Sequence, residues 1–353
     1  MTLPASARRL SAAVQGIDGF LFQPRSRTPL RLMRIAFGLF LVGYFTGLHP
    51  LAMMLYGTDG LVSRGGEFPL SRIVRPQLFH LLSDHSDRVV WLVTGGGIAS
   101  GLWLASGFFS RLAPCVVWLF VSSVVTVIPG NSGDLLVMSF ATYLAVAGLA
   151  GHLVVGGKTP RNHLPATADG GGPGATLETA TETPGLPEVP AAGKACRGLP
   201  AVLSIAGGQA VPAWSIRLFQ VQLVLVYFFS GYHKLANDAW YRGTALHYIA
   251  GQTFWSRYDL SHLDDWPVIT SALTTAVLLF ELVAFPVLVW VRPWRIPILL
   301  AGVVFHVAIY VTMRVFTFHQ IMMLYYLAFL LPEDWQAIAG LCEPLRKLLA
   351  RHR

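Results

Sequence analysis

Apolar residues run along this chain in long blocks broken by short polar intervals. The blocks lie near residues 31–50, 88–107, 112–129, 135–155, 214–234, 267–291, 295–313 and 315–332. A helix of roughly 20 apolar residues crosses the hydrocarbon core of a bilayer, so the pattern predicts an all-α polytopic bundle of about eight transmembrane helices. A β-barrel would show short segments of strict alternation instead. The first block, RIAFGLFLVGYFTGLHPLAMMLYG, follows Arg8, Arg9, Arg25 and Arg27 too late in the chain for a cleaved signal peptide. It is expected to be a retained first span.

The intervals set the organisation. Ser110-Arg111 and residues 292–295 form short basic turns, and residues 1–29 are basic with almost no acid. The segment after Lys234 carries Asp238, Asp259, Asp264 and Asp265. Basic segments mark the cytoplasmic side, which predicts cytoplasmic N- and C-termini. Residues 30–155 are expected to hold the first four helices and residues 213–332 the last four. Between them, residues 156–212 are rich in Gly, Pro, Thr and Ala and poor in large apolar side chains. Such a stretch cannot bury enough surface to offset its ordering entropy, and it reads as a disordered cytoplasmic linker. Residues 59–86 are expected to form an outer loop with a short amphipathic helix at PQLFHLL, and 333–353 a basic cytoplasmic tail.

Composition agrees with the bilayer reading. The chain is 54% hydrophobic and only 12% charged, with a mean hydropathy of +0.55. The formal net charge of +8 is spread over loops, with no compact basic domain, so it reflects membrane topology and not nucleic-acid binding. Cys115, Cys196 and Cys342 lie far apart, with no paired thiols and no metal-ligand spacing. The expected location is an integral position in a membrane, with the lipid bilayer as a partner.

Ionisable residues inside spans are costly and tend to face the bundle interior or water. Under the predicted topology several gather at one face. GNSGDLL places Asn131, Ser132, Gly133 and Asp134 at the start of the fourth span, and YFFSGYHKL ends the fifth with His233 and Lys234. Tyr56 and Arg314 are expected on the same side. Helical spacing puts Tyr227, Gly231, Lys234 and Asp238 on one stripe with Ser230 beside it. The small Gly231 suggests room for a ligand against the helix. Glu281 sits mid-span in AVLLFELVAFPVLVW and needs a partner or a proton; His306 and His319 are candidates for pairing. Structural alternatives stand beside each reading. A lysine at a span end also snorkels to headgroups, Asn131 to Asp134 also reads as a turn and helix cap, and Trp240 and Tyr241 also fit an interfacial aromatic belt. The GGG at 95–97 reads as a close helix contact.

Taken in order, RIAFGLFLVGYF, GNSGDLL, QLVLVYFFSGYHKLANDAWYRGTALHY, LLFELVAFPVLVW and GVVFHVAIYVTMRVF resemble the membrane domain of vitamin K-dependent γ-carboxylases, shared with the bacterial HTTM (horizontally transferred transmembrane) family. The resemblance covers most of residues 30–335 apart from the linker. It implies a bacterial inner-membrane enzyme with a lysine general base, Lys234, assisted by His233, Asn131 and Asp134. It implies reduced vitamin K, a menaquinol-like quinol, as cofactor, with O2 and CO2 as co-substrates. Tyr227, Ser230, Gly231, Ser132, Glu281, His306 and Arg314 are then candidates for holding the cofactor. A lysine amine becomes a useful base when apolar surroundings disfavour its ammonium form. The carboxylases carry a functional histidine at the start of the fourth span, where this chain has Asn131 to Asp134; bacterial relatives show a similar Asn-Gly-Gly-Asp pattern. The chain ends soon after its last span, so a peptide or small-molecule substrate is expected to dock directly or through an accessory protein. A partner role in maturing or exporting a secreted peptide, as for some toxins, is the alternative.

Overall fold

The computed structural model describes residues 5–60, 78, 87–125, 132–153, 210–252, 254–315 and 317–334. The expected 156–212 linker lies outside these except for its last three residues, as does the expected 59–86 loop except for Gly60 and Leu78 and its first residue. The tail beyond Asp334 also lies outside.

The described residues are overwhelmingly helical. Helix α1 (Ala5–Phe22) precedes the first apolar block, in a segment for which the sequence suggested only basic charge. After it come strand β1 (Pro24–Ser26), α2 (Thr28–Leu48), a 3-10 turn at His49–Leu51 and α3 (Ala52–Tyr56). Helices α4 (Asp87–Ser106), α5 (Ala113–Val125) and α6 (Ser132–Leu149) complete the first half. Strand β2 (Ala210–Pro212) pairs antiparallel with β1, Arg25 opposite Val211, so the two halves are joined by a short ribbon that the sequence did not suggest. The second half runs through α7 (Trp214–Leu235), α8 (Asp238–Tyr241), α9 (Ala245–Ala250), α10 (Pro267–Leu279), a π-helical turn (Phe280–Ala284), α11 (Phe285–Leu288), α12 (Arg292–Thr312) and α13 (Phe318–Tyr326).

Five of these segments are long and apolar enough to cross a membrane: Thr28–Tyr56, Asp87–Ser106, Ser132–Leu149, Pro267–Leu288 and Arg292–Thr312. This is a helical membrane bundle. Three expected spans differ in form. Helix α5 has 13 residues, α13 has 9, and α7 has 22 but includes Arg217, Gln220, Gln222 and Lys234.

Lipid tails are as apolar as leucine, so helices here associate by close packing and internal hydrogen bonds. The pairing of α2 with α4 shows the first. A side chain on Gly38 would come within 2.6 Å of the Gly101 carbonyl, and one on Gly101 within 2.8 Å of the Gly38 carbonyl, so the backbones touch. Gly96 and Gly97, from the GGG stretch, lie against the rings of Phe120 and Phe45, a helix contact as expected. Phe37, Phe140, Phe219 and Tyr325 pack ring to ring through the centre, with successive centroids 4.5, 4.8 and 5.9 Å apart.

Candidate functional site

Two polar stations occupy the end of the bundle where α6 begins and α7 ends. The hydrogen bond from Tyr143 to Gln222 (2.8 Å) ties these antiparallel helices. At 1.5 Å per residue, Asp134 lies about 14 Å along α6 from that bond and Lys234 about 18 Å along α7 in the same sense. Both residues therefore reach a similar depth, as the topology suggested.

Lys234 defines the first station. Its Nζ donates to Ser230 Oγ (2.9 Å), one turn back on α7, and to Glu281, with which it forms an ion pair. The Trp240 ring lies 5.1 Å from Nζ. The Glu281 side chain is 5% exposed and that of Lys234 22%. The lysine side chain is largely folded into the protein. Glu281 reaches it because it sits in the π turn, where one extra residue per turn changes which side chains face α7; such turns are frequent at functional sites. Sequence reasoning offered His306 and His319 as partners of Glu281, but the carboxylate pairs with Lys234, 47 residues earlier in the chain.

Beneath this pair lies a buried polar chain. The Tyr227 hydroxyl meets His306 Nε2 (2.8 Å) and makes a short hydrogen bond with the Tyr326 hydroxyl. His306 is fully buried, and its Nδ1 has no partner among the described residues. The Tyr227 ring stacks on Phe285 at 3.9 Å and meets Phe280 edge-on at 5.6 Å, which ties the chain to the flanks of the π turn. Tyr326 entered no sequence argument; its spacing marked it only as an apolar position in a span.

Several expected members stand elsewhere. Gly231 does not leave room for a ligand: a side chain there would meet Leu282 Cγ at 2.7 Å, Leu282 N at 3.1 Å and Glu281 Cβ at 3.2 Å. It is the point where α7 and the π turn pack backbone to backbone, bringing Lys234 and Glu281 together. Asp238 leaves the proposed stripe because α7 stops at Leu235. Asn237, extended at φ −109° and ψ 123°, caps α8 through its side chain, and Asp238 is exposed. His233 is exposed, its ring 5.9 Å from that of Tyr232. Arg314 is exposed; its amide, not its guanidinium, is engaged, donating to the Trp255 carbonyl (2.7 Å). Ser132 is exposed on the first turn of α6, and Asn131 lies outside the described residues.

The second station is a cavity of about 740 Å³ between α2, α3, α6 and the α12–α13 turn. Asp134, Tyr44, Tyr56 and Arg257 line it, but Lys234 does not. Asp134 sits in the first turn of α6, where a carboxylate is favoured by the helix dipole, and accepts from the Tyr44 hydroxyl (3.2 Å). Gly43 and Gly47, one turn apart on α2, line the cavity, and a side chain at either would meet nothing within 4 Å. Its other walls include Leu39 and Leu51, both exposed. Arg257 is delivered by a loop: residues 255–257 bridge to 312–314, and Arg257 Nε donates to the carbonyls of Tyr310 (3.0 Å) and Met313 (2.9 Å). Tyr44 and Arg257 were missed. Tyr44 lay in the quoted VGYF stretch, but the partner that brings it into the site is 90 residues away.

The first station falls within a recognisable unit. Residues 203–335 match the family model of the HTTM domain. The match covers somewhat more than a third of the chain. No curated protein and no solved structure matches the chain. The matched stretch runs from before β2 through α13, so Lys234, Glu281, Tyr227, His306 and Tyr326 all fall within it. Tyr44, Tyr56 and Asp134 precede it. The cavity is thus walled partly by the matched stretch and partly by the helices before it.

Proposed function

We propose that this protein is a quinol-dependent membrane enzyme of the vitamin K-carboxylase type, with Lys234 as its general base and Glu281 as that base's proton partner. The observation that carries the reading is the Lys234–Glu281 pair, held in place by a π turn within the stretch that matches the HTTM family model. A lysine whose function was to anchor the helix would extend to the headgroups, where charge is hydrated. Here the protein instead places a carboxylate inside a span, a costly arrangement found mainly where ions or protons are handled.

The cavity suits a quinol in kind. Its open glycine face and apolar walls suit a hydrocarbon tail, with Asp134, Tyr44 and Arg257 offering polar atoms; Lys234 does not line it, so in this reading the ring hydroxyl must reach beyond the cavity to the Lys234–Glu281 pair. A reduced quinone, when bound, would supply the oxygen-dependent chemistry that generates a strong base. The chain's own residues hold and move protons. For Lys234 to accept one, its ammonium must first be relieved of its proton, and Glu281 is positioned to take it. Ser230 keeps the amine oriented toward that carboxylate. The buried hydroxyls of Tyr227 and Tyr326 and the His306 ring brace the helices that carry the pair. In this reading eight helices cross the bilayer with the arginine-rich end cytoplasmic, so the stations face outward; a peptide glutamate or other small substrate approaches from that side.

The test is to incubate detergent-purified protein with reduced menaquinone-type quinols and oxygen, and to look for an epoxide by mass spectrometry. Wild type should form it, and Lys234→Met should reduce the rate by roughly 10² or more, the usual contribution of a general base. An undiminished rate in that variant would remove Lys234 from the chemistry. No epoxide from wild type, with a Lys234→Met protein that retains its biological output, would favour the accessory role in peptide maturation.

A further inference from the structure

The end of the bundle opposite Lys234 carries a separate cavity of about 450 Å³. It is framed by the β1–β2 ribbon, the start of α7, the start of α12 and the segment after α13. Arg25, Arg217, Arg292 and Arg295 all line it, against a single lining carboxylate, Glu333. Their charges are unequally satisfied. Arg292 pairs with Glu333 (3.2 Å), and Arg295 Nη2 pairs with both oxygens of Asp334 (3.0 and 2.8 Å). Among the described residues Arg217 meets only neutral groups: Gln220 Oε1 (2.8 Å), the Phe20 carbonyl (3.4 Å) and the faces of Phe20 and Trp290. The Arg25 guanidinium makes no hydrogen bond or ion pair among the described residues, and Arg295 keeps a buried Nε–H with no acceptor.

We propose that this cavity binds the phosphate of an anionic lipid headgroup. Among the described residues, two guanidiniums have no counter-ion and one N–H on a third is buried and unsatisfied, all lining the same space. Guanidinium recognises phosphate through paired N–H donors. Basic pockets between membrane helices take phosphate-bearing headgroups in this way. The walls turn apolar beside the arginines, at Ile216, Val289 and Phe329, as a headgroup attached to acyl chains requires. A cavity of this volume exceeds what a bare phosphate fills. Gln220 fixes Arg217 at the cavity and donates to the Ala328 carbonyl (2.7 Å), so the ligand's nearest charge is held by the bundle itself. The site does not depend on the quinol reading, because it lies at the other end of the molecule.

The experiment is native mass spectrometry of the full chain in detergent, titrated with phosphatidylglycerol, with phosphatidylcholine, and separately with inorganic phosphate. Thermal melting is followed in parallel. Wild type should retain phosphatidylglycerol over phosphatidylcholine and melt higher with it. The double variant Arg25→Gln/Arg217→Gln should bind it about thirtyfold more weakly, since each basic residue contributes roughly 1 kcal/mol near an anionic surface. Arg88→Gln, an exposed residue at the far end, should bind as wild type does. Protection by millimolar inorganic phosphate, lost in the double variant, would keep the phosphate site but assign it to a free anion. Equal retention of the two lipids without phosphate protection, or undiminished phosphatidylglycerol binding in a folded double variant, would overturn the proposal.

Discussion

Glu281→Gln isolates the interaction on which the candidate site rests. Glutamine keeps the volume and polarity of Glu281 but removes the charge that Lys234 faces. Breaking a well-buried ion pair by neutralising one partner costs about 3–5 kcal/mol, whereas an exposed pair contributes about 0–1 kcal/mol. This pair lies between those limits: Glu281 is 5% exposed, but Lys234 is 22% exposed and carries a long stem that can redirect its ammonium toward water. A coupling of about 1–3 kcal/mol is therefore expected. It is measured by a double-mutant cycle of Glu281→Gln, Lys234→Met and the double variant, using reversible unfolding in mixed micelles titrated with SDS. The double variant should lose clearly less than the sum of the two single variants, because each single change strands the other partner. Additivity within about 0.5 kcal/mol would mean that the two side chains do not interact in the folded protein, and the site as described would be wrong.

Three further expectations follow from the packing. Tyr227→Phe should destabilise more than Tyr326→Phe, by about 1–3 kcal/mol against wild type, because the Tyr227 hydroxyl serves both His306 and Tyr326; equal losses in SDS unfolding would contradict that arrangement. Gly38→Ala should cost about 1–3 kcal/mol because its new methyl would meet the Gly101 carbonyl and the Ala105 amide, while Gly43→Ala, facing open space, should cost little. His152, outside the spans, has its pKa held below the usual histidine value by burial and then by Arg27. Its unfolded form therefore takes up a proton first as pH falls below about 6.5. Stability should decline from there until the depressed folded value is passed, and His152→Gln should flatten that part of a melting-temperature profile against pH.

The fold class was legible because apolar blocks of membrane-spanning length have few other uses in a folded chain. Their count was less legible in form: α5, α7 and α13 fall short in length or apolarity, and tertiary packing accommodates them within the bundle. Helix α1 and the β1–β2 ribbon went unread, since the apolar part of α1, Ala13–Phe22, is too short to span and two three-residue strands bury too little to mark the sequence. Lys234 and Asp134 were placed at one end of the bundle together because depth follows residue count along a helix. Gly231 was misread because smallness alone does not say whether a ligand or a neighbouring backbone fills the space.

By itself, then, the sequence determined that the chain forms membrane helices and at what depth most of its polar groups lie. The tertiary structure alone decided which of those groups meet. In water, an amphipathic stripe would reveal how each helix is rotated. In a bilayer, lipid and neighbouring helices are almost equally apolar, so hydrophobic periodicity carries little information about rotation. The pairing of Lys234 with Glu281 depends on that rotation and on a π turn that shifts it partway along a span. The convergence of Arg25, Arg217 and Arg295 depends on a ribbon between strands more than 180 residues apart. Each is a product of packing between segments that the linear pattern describes only one at a time.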